Sequence, residues 1–93
     1  MKIKVTSYLN VTGLKGEKIL ATKEGITLKD FLIDLSDRYN REIKEQLFDS
    51  DEQLKSHYLV ILNGKLYWAF PDQMHTKLND GDSIIILPPL AGG

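Results

Sequence analysis

The sequence predicts an α+β fold, a mixed sheet of about five strands covered on one face by a main helix. Three observations carry this. Residues 2–22 alternate polar and apolar in two short runs separated by a glycine-containing turn. Residues 28–47 carry apolar side chains at helical spacing. Residues 57–87 return to short, β-branched apolar runs punctuated by Asn-Gly and Asn-Asp-Gly turns. At 93 residues the chain is long enough for one hydrophobic core, so the expectation is a single domain over residues 1–87 followed by a flexible tail, 88–93.

Ile3, Val5 and Leu9 share one parity, the pattern of a first strand between Lys2 and Leu9. Asn10 to Gly16 supplies turn residues, and Glu17 to Thr22 resumes a strand through Ile19, Leu20 and Ala21, so the chain opens on a β-hairpin. Thr27 and Asp30 resemble a capping box: the hydroxyl accepts a first-turn N–H and the acid complements the helix dipole. A helix is expected from Leu28, with Leu28, Phe31, Leu32, Leu35 and Tyr39 on one stripe and Lys29, Asp34, Asp37 and Arg38 opposite. Ile43 and Leu47 extend the stripe, which carries the helix to Phe48 with a break near Asn40.

His57 to Leu62 is almost wholly apolar, as in an interior strand covered on both faces. Asn63-Gly64 is a two-residue hairpin signal leading into a further strand within Lys65 to Phe70. Leu78-Asn79-Asp80-Gly81-Asp82 is a second turn, and Ser83 to Leu87 is the last strand, ended by Pro88-Pro89, which cannot donate ladder hydrogen bonds. The order strand, strand, helix, strand, strand, strand is a β-grasp outline. One main helix cannot cover both faces of strands that are apolar at both parities, so one sheet face is expected to meet a partner.

Composition removes many chemistries. Apolar residues are 42% and charged residues 27% of the chain, a globular balance. The net charge of −1 offers no basic face for nucleic acid or anionic membrane. No run approaches the roughly 20 apolar residues that span a bilayer, and the N-terminus lacks a signal-peptide pattern, so the expected location is cytoplasmic. With no cysteine there is no disulfide, Cys-ligated metal or thiol nucleophile.

Gly13-Leu14-Lys15-Gly16 matches the GXXG of a KH domain but lies between strands rather than helices, and no P-loop spacing exists. Asp49, Asp51 and Glu52 lack the glycine and terminal Glu of a calcium loop. His57 and His75 have no partner at metal-ligand spacing, and Ser7, Ser36, Ser56 and Ser83 have no nucleophile-elbow context. Tyr67, Trp68 and Phe70 divide between core packing and a surface binding patch, with Phe70 a candidate partner contact. No autonomous active site is legible, and the expectation is a protein that is not itself an enzyme.

The C-terminus stands apart. Pro88-Pro89 stiffens the base of Pro88-Pro89-Leu90-Ala91-Gly92-Gly93, while Gly92 and Gly93, lacking Cβ, can thread a channel that excludes other residues. Extended, these six residues reach about 20 Å. A terminal carboxylate is anionic at neutral pH and a poor electrophile, so its use requires activation, most simply as an acyl adenylate made from ATP by a partner. That chemistry also requires Gly93 to be the last residue.

Leu47-Phe48-Asp49 through Leu54, Tyr58-Leu59-Val60-Ile61-Leu62-Asn63-Gly64, Leu78-Asn79-Asp80-Gly81-Asp82 and the Pro88-Pro89-Leu90-Ala91-Gly92-Gly93 end together resemble the MoaD/ThiS family of ubiquitin-like sulfur carriers, and most closely its MoaD branch. The resemblance covers nearly the whole chain, departing in the first hairpin, where Asn10 to Gly16 is shorter than the loop common in that branch. It implies that the Gly93 carboxyl is adenylated by an E1-like adenylyltransferase (MoeB/ThiF-like), which uses the ATP, and converted to a thiocarboxylate with sulfur from a donor protein. Gly93 would then enter a MoaE-like large subunit of molybdopterin synthase and give up its sulfur in molybdenum cofactor biosynthesis. It implies no cofactor bound by the chain itself, and a docking surface at Leu87, Pro88, Pro89, Leu90, Ala91 and Gly92. Sulfur delivery to a thiazole or to cysteine synthesis, or conjugation of the activated glycine to lysines, are the alternatives.

Overall fold

A computed structural model describes residues 1–10, 13–39, 41–51, 53–55 and 57–89. Five strands, β1 (Lys2–Ser7), β2 (Gly16–Ala21), β3 (Leu59–Leu62), β4 (Lys65–Leu66) and β5 (Ser83–Leu87), form one sheet in the order β2-β1-β5-β3-β4. β1 is antiparallel to β2 and parallel to β5, and β3 is antiparallel to both β5 and β4. The parallel β1–β5 pair joins the two ends of the chain at the centre of the sheet, the arrangement expected of a β-grasp domain.

Helix α1 (Leu28–Arg38) begins where the sequence places it: Thr27 Oγ1 accepts the Asp30 N–H at 3.1 Å, and Asp30 lies in the first turn. Its stripe of Leu28, Phe31, Leu32 and Leu35 is fully buried against Ile3, Val5, Val60, Leu62, Ile84 and Ile86 from one sheet face. Helical spacing meets strand alternation there, so a single set of apolar positions closes the core. The predicted break near Asn40 is present, and the helical stretch resumes as α2 (Glu42–Leu47). Its cause is Ser36, whose carbonyl accepts the Tyr39 and Arg41 N–H groups at 3.0 and 2.8 Å. The buried Ser36 Oγ accepts the Lys44 N–H at 2.7 Å. Arg41 takes a left-handed φ of 63° at the joint, while Ile43 and Leu47 still reach the core.

Three expectations need correction. The strand predicted within Lys65 to Phe70 is only the two residues of β4, after which Tyr67–Ala69 turns into a 3₁₀ helix, followed by a second at Gln73–His75. Tyr67, Phe70 and Met74 pack on the core from this segment, so the run of aromatics follows a tight helical turn and not strand alternation. β3 begins at Leu59, since His57 has φ of 76°, outside the extended region a strand needs. β3 is also covered on one face only: Val60 and Leu62 are buried while Leu59 and Ile61 are half-buried.

Asn63 (φ 50°) and Gly64 (φ 83°) form the predicted turn, with both central residues left-handed as a two-residue hairpin requires. A side-chain network anchors it: Asn63 Nδ2 donates to Asp82 Oδ1 at 2.9 Å, Asp82 Oδ2 accepts the Asn79 N–H at 2.7 Å, and Asn63 Oδ1 accepts the Ser83 N–H at 2.9 Å. The hairpin tip and the turn before β5 are thereby tied together, which sets the β3–β5 register.

Candidate functional site

Among the described residues the sheet has one layer of helix and one open face. Alternation places Lys4, Thr6, Glu17, Ile19, Leu59, Ile61, Leu66, Ser83, Ile85 and Leu87 on the side away from α1. The registers turn this set into rows. Thr6, Ile85, Ile61 and Leu66 form one row, and Leu87 and Leu59 the next. Continuing the β1–β5 register brings Tyr8, 58% exposed, beside Leu87.

The face is mixed. Its far end carries Lys4 and Glu17 as an exposed ion pair at 3.6 Å, next to Ser83 and to Ile19, which is 66% exposed. The end where β5 terminates carries Ile61, Ile85, Leu59, Leu87 and Tyr8, an unpartnered apolar patch framed by polar groups. Such a patch on a small domain marks an interaction surface.

Leu87 is half-buried in the last position of β5, opposite Leu59. Pro88 is half-buried and Pro89 exposed, so the chain leaves the sheet at the apolar edge of the open face. Lacking an N–H, neither proline can extend the ladder. Leu90, Ala91, Gly92 and Gly93 lie outside the described residues. Phe70 sits elsewhere, partly buried against the core, while Trp68 is the more exposed aromatic of that segment at 50% and makes an edge-to-face contact with Tyr67 at 5.3 Å. The structure thus joins Leu87 and the prolines to Leu59, Ile61, Ile85 and Tyr8, which the sequence argument did not name. Their signal was present in the two apolar parities of residues 59–62 and 83–87.

The remaining motifs resolve into structure. Gly13 and Gly16 serve the connection between β1 and β2, with no flanking helices. Asp49 Oδ1 accepts the Asp51 and Gln53 N–H groups at 2.9 and 3.0 Å, so the acidic turn caps its own backbone. Among the described residues no cluster of three His, Asp or Glu side chains suits a metal ion, and no helix is long and apolar enough to cross a membrane.

The model of the ThiS family matches residues 6–93. No curated protein matches the chain. Among solved structures, SAMP1 from Haloferax volcanii superposes with a TM-score of 0.81 at 20% identity, covering all of both chains. Small archaeal modifier protein 1 from Methanosarcina acetivorans gives a TM-score of 0.76 at 27% identity, over 99% of this chain and 96% of that one. The Amycolatopsis orientalis BexX/CysO complex contains a match with a TM-score of 0.72 at 27% identity, over 98% and 99% of the two chains. With the five-stranded mixed sheet, its single helical layer and a family match that runs through the final glycine, the chain belongs to the ThiS family and has its ubiquitin-like sulfur-carrier fold.

Proposed function

We propose that this protein is a sulfur carrier whose Gly93 carboxyl is activated and charged by partner enzymes, and that it delivers sulfur in molybdopterin biosynthesis. The observation that carries the reading is the placement of the chain's exit. β5 ends at Leu87 on the border of an apolar, unpartnered sheet face, and the Pro88-Pro89-Leu90-Ala91-Gly92-Gly93 segment starts there. A partner gripping Leu59, Ile61, Ile85 and Leu87 would hold the body while the tail runs into its active site.

In the first step a Gly93 carboxylate oxygen bonds to the α-phosphorus of ATP and pyrophosphate leaves. In the second, the terminal sulfur of a donor persulfide attacks the acyl carbon, AMP leaves and an acyl disulfide forms. A thiol then cleaves its S–S bond, leaving the thiocarboxylate on Gly93 and a disulfide on the donor side. The chain supplies no catalytic group; an E1-like adenylyltransferase of the MoeB/ThiF kind supplies activation, and a MoaE-like large subunit receives the charged tail. The absence of cysteine suits this role, because no internal thiol can capture the activated acyl group.

Incubation with an E1-like enzyme, ATP and a sulfur donor should raise the intact mass by the replacement of one oxygen with sulfur. A mass that stays unchanged with each cognate activating enzyme would refute the carrier role. Failure of the thiocarboxylate form to restore molybdopterin formation with the synthase large subunit would refute the pathway alone. The second reading, conjugation to lysines, is favoured by the likeness to small archaeal modifier protein 1. It predicts target lysines carrying the remnant of residues 78–93, left by cleavage after Lys77, in tryptic digests of the native host, and the absence of that remnant counts against it.

A further inference from the structure

Asn63 fastens β3 to β5 with its side chain as well as its backbone. Its N–H donates to the Ser83 carbonyl at 2.8 Å, and its Oδ1 accepts the Ser83 N–H at 2.9 Å. The side-chain amide thus stands in for a backbone carbonyl and adds one rung to the ladder beyond Leu62 and Ile84. Its Nδ2 donates to Asp82 Oδ1 at 2.9 Å, and the other oxygen of the buried Asp82 is held by the Asn79 N–H at 2.7 Å.

The same residue is set up for a covalent change. Asparagine is thermolabile because the next backbone nitrogen can attack its side-chain carbonyl, and glycine, having no side chain, hinders that attack least. Asn63 alone of the chain's asparagines precedes a glycine; Asn10, Asn40 and Asn79 precede Val11, Arg41 and Asp80. Asn63 and Gly64 are both exposed, and a Cβ placed on Gly64 would meet nothing within 4 Å, so no described group shields that side of the pair. The restraint is the side-chain amide itself. It reaches across to β5 with both ends bonded, and swinging its Cγ onto the Gly64 nitrogen breaks both bonds.

We propose that Asn63 is a deamidation site kept latent by Asp82 and Ser83, and that its reaction irreversibly unfastens β3 from β5. The Gly64 nitrogen bonds to Asn63 Cγ and gives up its proton, the Cγ–Nδ2 bond breaks, and ammonia leaves, closing a cyclic imide between the two residues. Water then opens the imide. Addition at the side-chain carbonyl leaves aspartate, and addition at the main-chain carbonyl leaves isoaspartate, with the chain running through Cβ and Cγ. Nothing is oxidised or reduced.

Both products lose the Nδ2 donor. Aspartate sets a second carboxylate against Asp82 Oδ1, across what was a 2.9 Å hydrogen bond, with no proton between the two. Isoaspartate adds a backbone atom to a two-residue turn that fixes the register of its strands. Leu59, Ile61, Ile85 and Leu87 lie on β3 and β5, so the reaction sets a chemical lifetime for the apolar open face. This inference does not rest on the sulfur-carrier reading.

Incubation in warm, mildly alkaline buffer followed by mass mapping of the tryptic peptide 56–65 reads the change from amide to acid. Asn63 should react at least about tenfold more slowly in the folded protein than in the same chain held in denaturant. Asp82→Ala, which removes the Nδ2 acceptor, should speed the reaction in the folded protein about fivefold or more. Should that variant not fold, Asp82→Asn, which keeps the shape with one acceptor fewer, should give the same acceleration. Thr27→Ala, which loosens α1 and leaves these bonds alone, should leave the rate unchanged. Asn63→Asp should lower the melting temperature, and adding Asp82→Asn should restore it, because the amide then donates from position 82 and its oxygen still accepts the Asn79 N–H. Equal rates in the folded and denatured chains, equal acceleration by Thr27→Ala and the Asp82 variants, or an Asn63→Asp variant as stable as the parent would each overturn the proposal.

Discussion

At the scale of single residues, the proposed function gives Leu87 and Gly92 different parts. Leu87 belongs to the body, half-buried beside Leu59, and its side chain would be lost to water unless a partner covers it. Leu87→Asp is expected to lower the rate of adenylation by a partner enzyme at least about tenfold, since burying an unpaired carboxylate in the docked interface costs more than the ~1.4 kcal/mol that corresponds to tenfold. Steady-state adenylation with limiting enzyme reads this, and an unchanged rate would remove Leu87 from the docking surface. Gly92→Val should block charging with no change in melting temperature, because the added side chain meets the partner's channel and not this domain. A fall in thermal stability would show that Gly92 packs on the domain. Phe70, named with Tyr67 and Trp68 as an aromatic divided between core and partner contact, is partly buried against the core and lies apart from the open face.

At the scale of elements, local chemistry and tertiary contact contribute separately. The start of α1 is local. Thr27→Ala should cost about 1 kcal/mol by losing the cap to Asp30, measured by urea denaturation; no loss would mean the helix start is held by packing alone. The β3–β5 join is long-range. Asp82→Ala leaves the Asn63 amide and the Asn79 N–H without their acceptor and should cost about 1–3 kcal/mol. If stability is unaffected, water satisfies both groups and the network does not hold the register. The break between α1 and α2 lies between these cases. Its apolar stripe runs on unbroken from Leu35 through Tyr39 to Ile43 and Leu47, while at the joint Ser36 captures the Tyr39, Arg41 and Lys44 N–H groups and Arg41 turns left-handed.

At the scale of the whole molecule, one core supports a body with a sheet face that the helix leaves bare among the described residues, the surface proposed to dock a partner. Leu35→Ala should destabilise the domain by about 2–5 kcal/mol, as expected for a fully buried leucine facing the sheet. Removal of residues 88–93 should leave the denaturation midpoint nearly unchanged while abolishing charging. A large loss of stability on truncation would mean that the tail folds back onto the open face. The two results together separate the stability of the fold from the activity of its end.

What the sequence determined by itself is whatever follows from covalent order and short spacing: the hairpin turns, the Thr27 cap, the stripe of α1, the stop at Pro88, and a Gly-Gly end with no competing thiol. The run of strands and one helix was enough for the β-grasp outline, because one helical layer and about five strands leave few ways to bury a single core. Only the tertiary structure decided which apolar parity of residues 59–62 and 83–87 faces α1. Periodicity cannot separate two apolar faces, whereas strand order and register can. The same holds for Tyr67 to Phe70, where core contacts made by Tyr67 and Phe70 accompany a 3₁₀ turn in place of the strand their composition suggests.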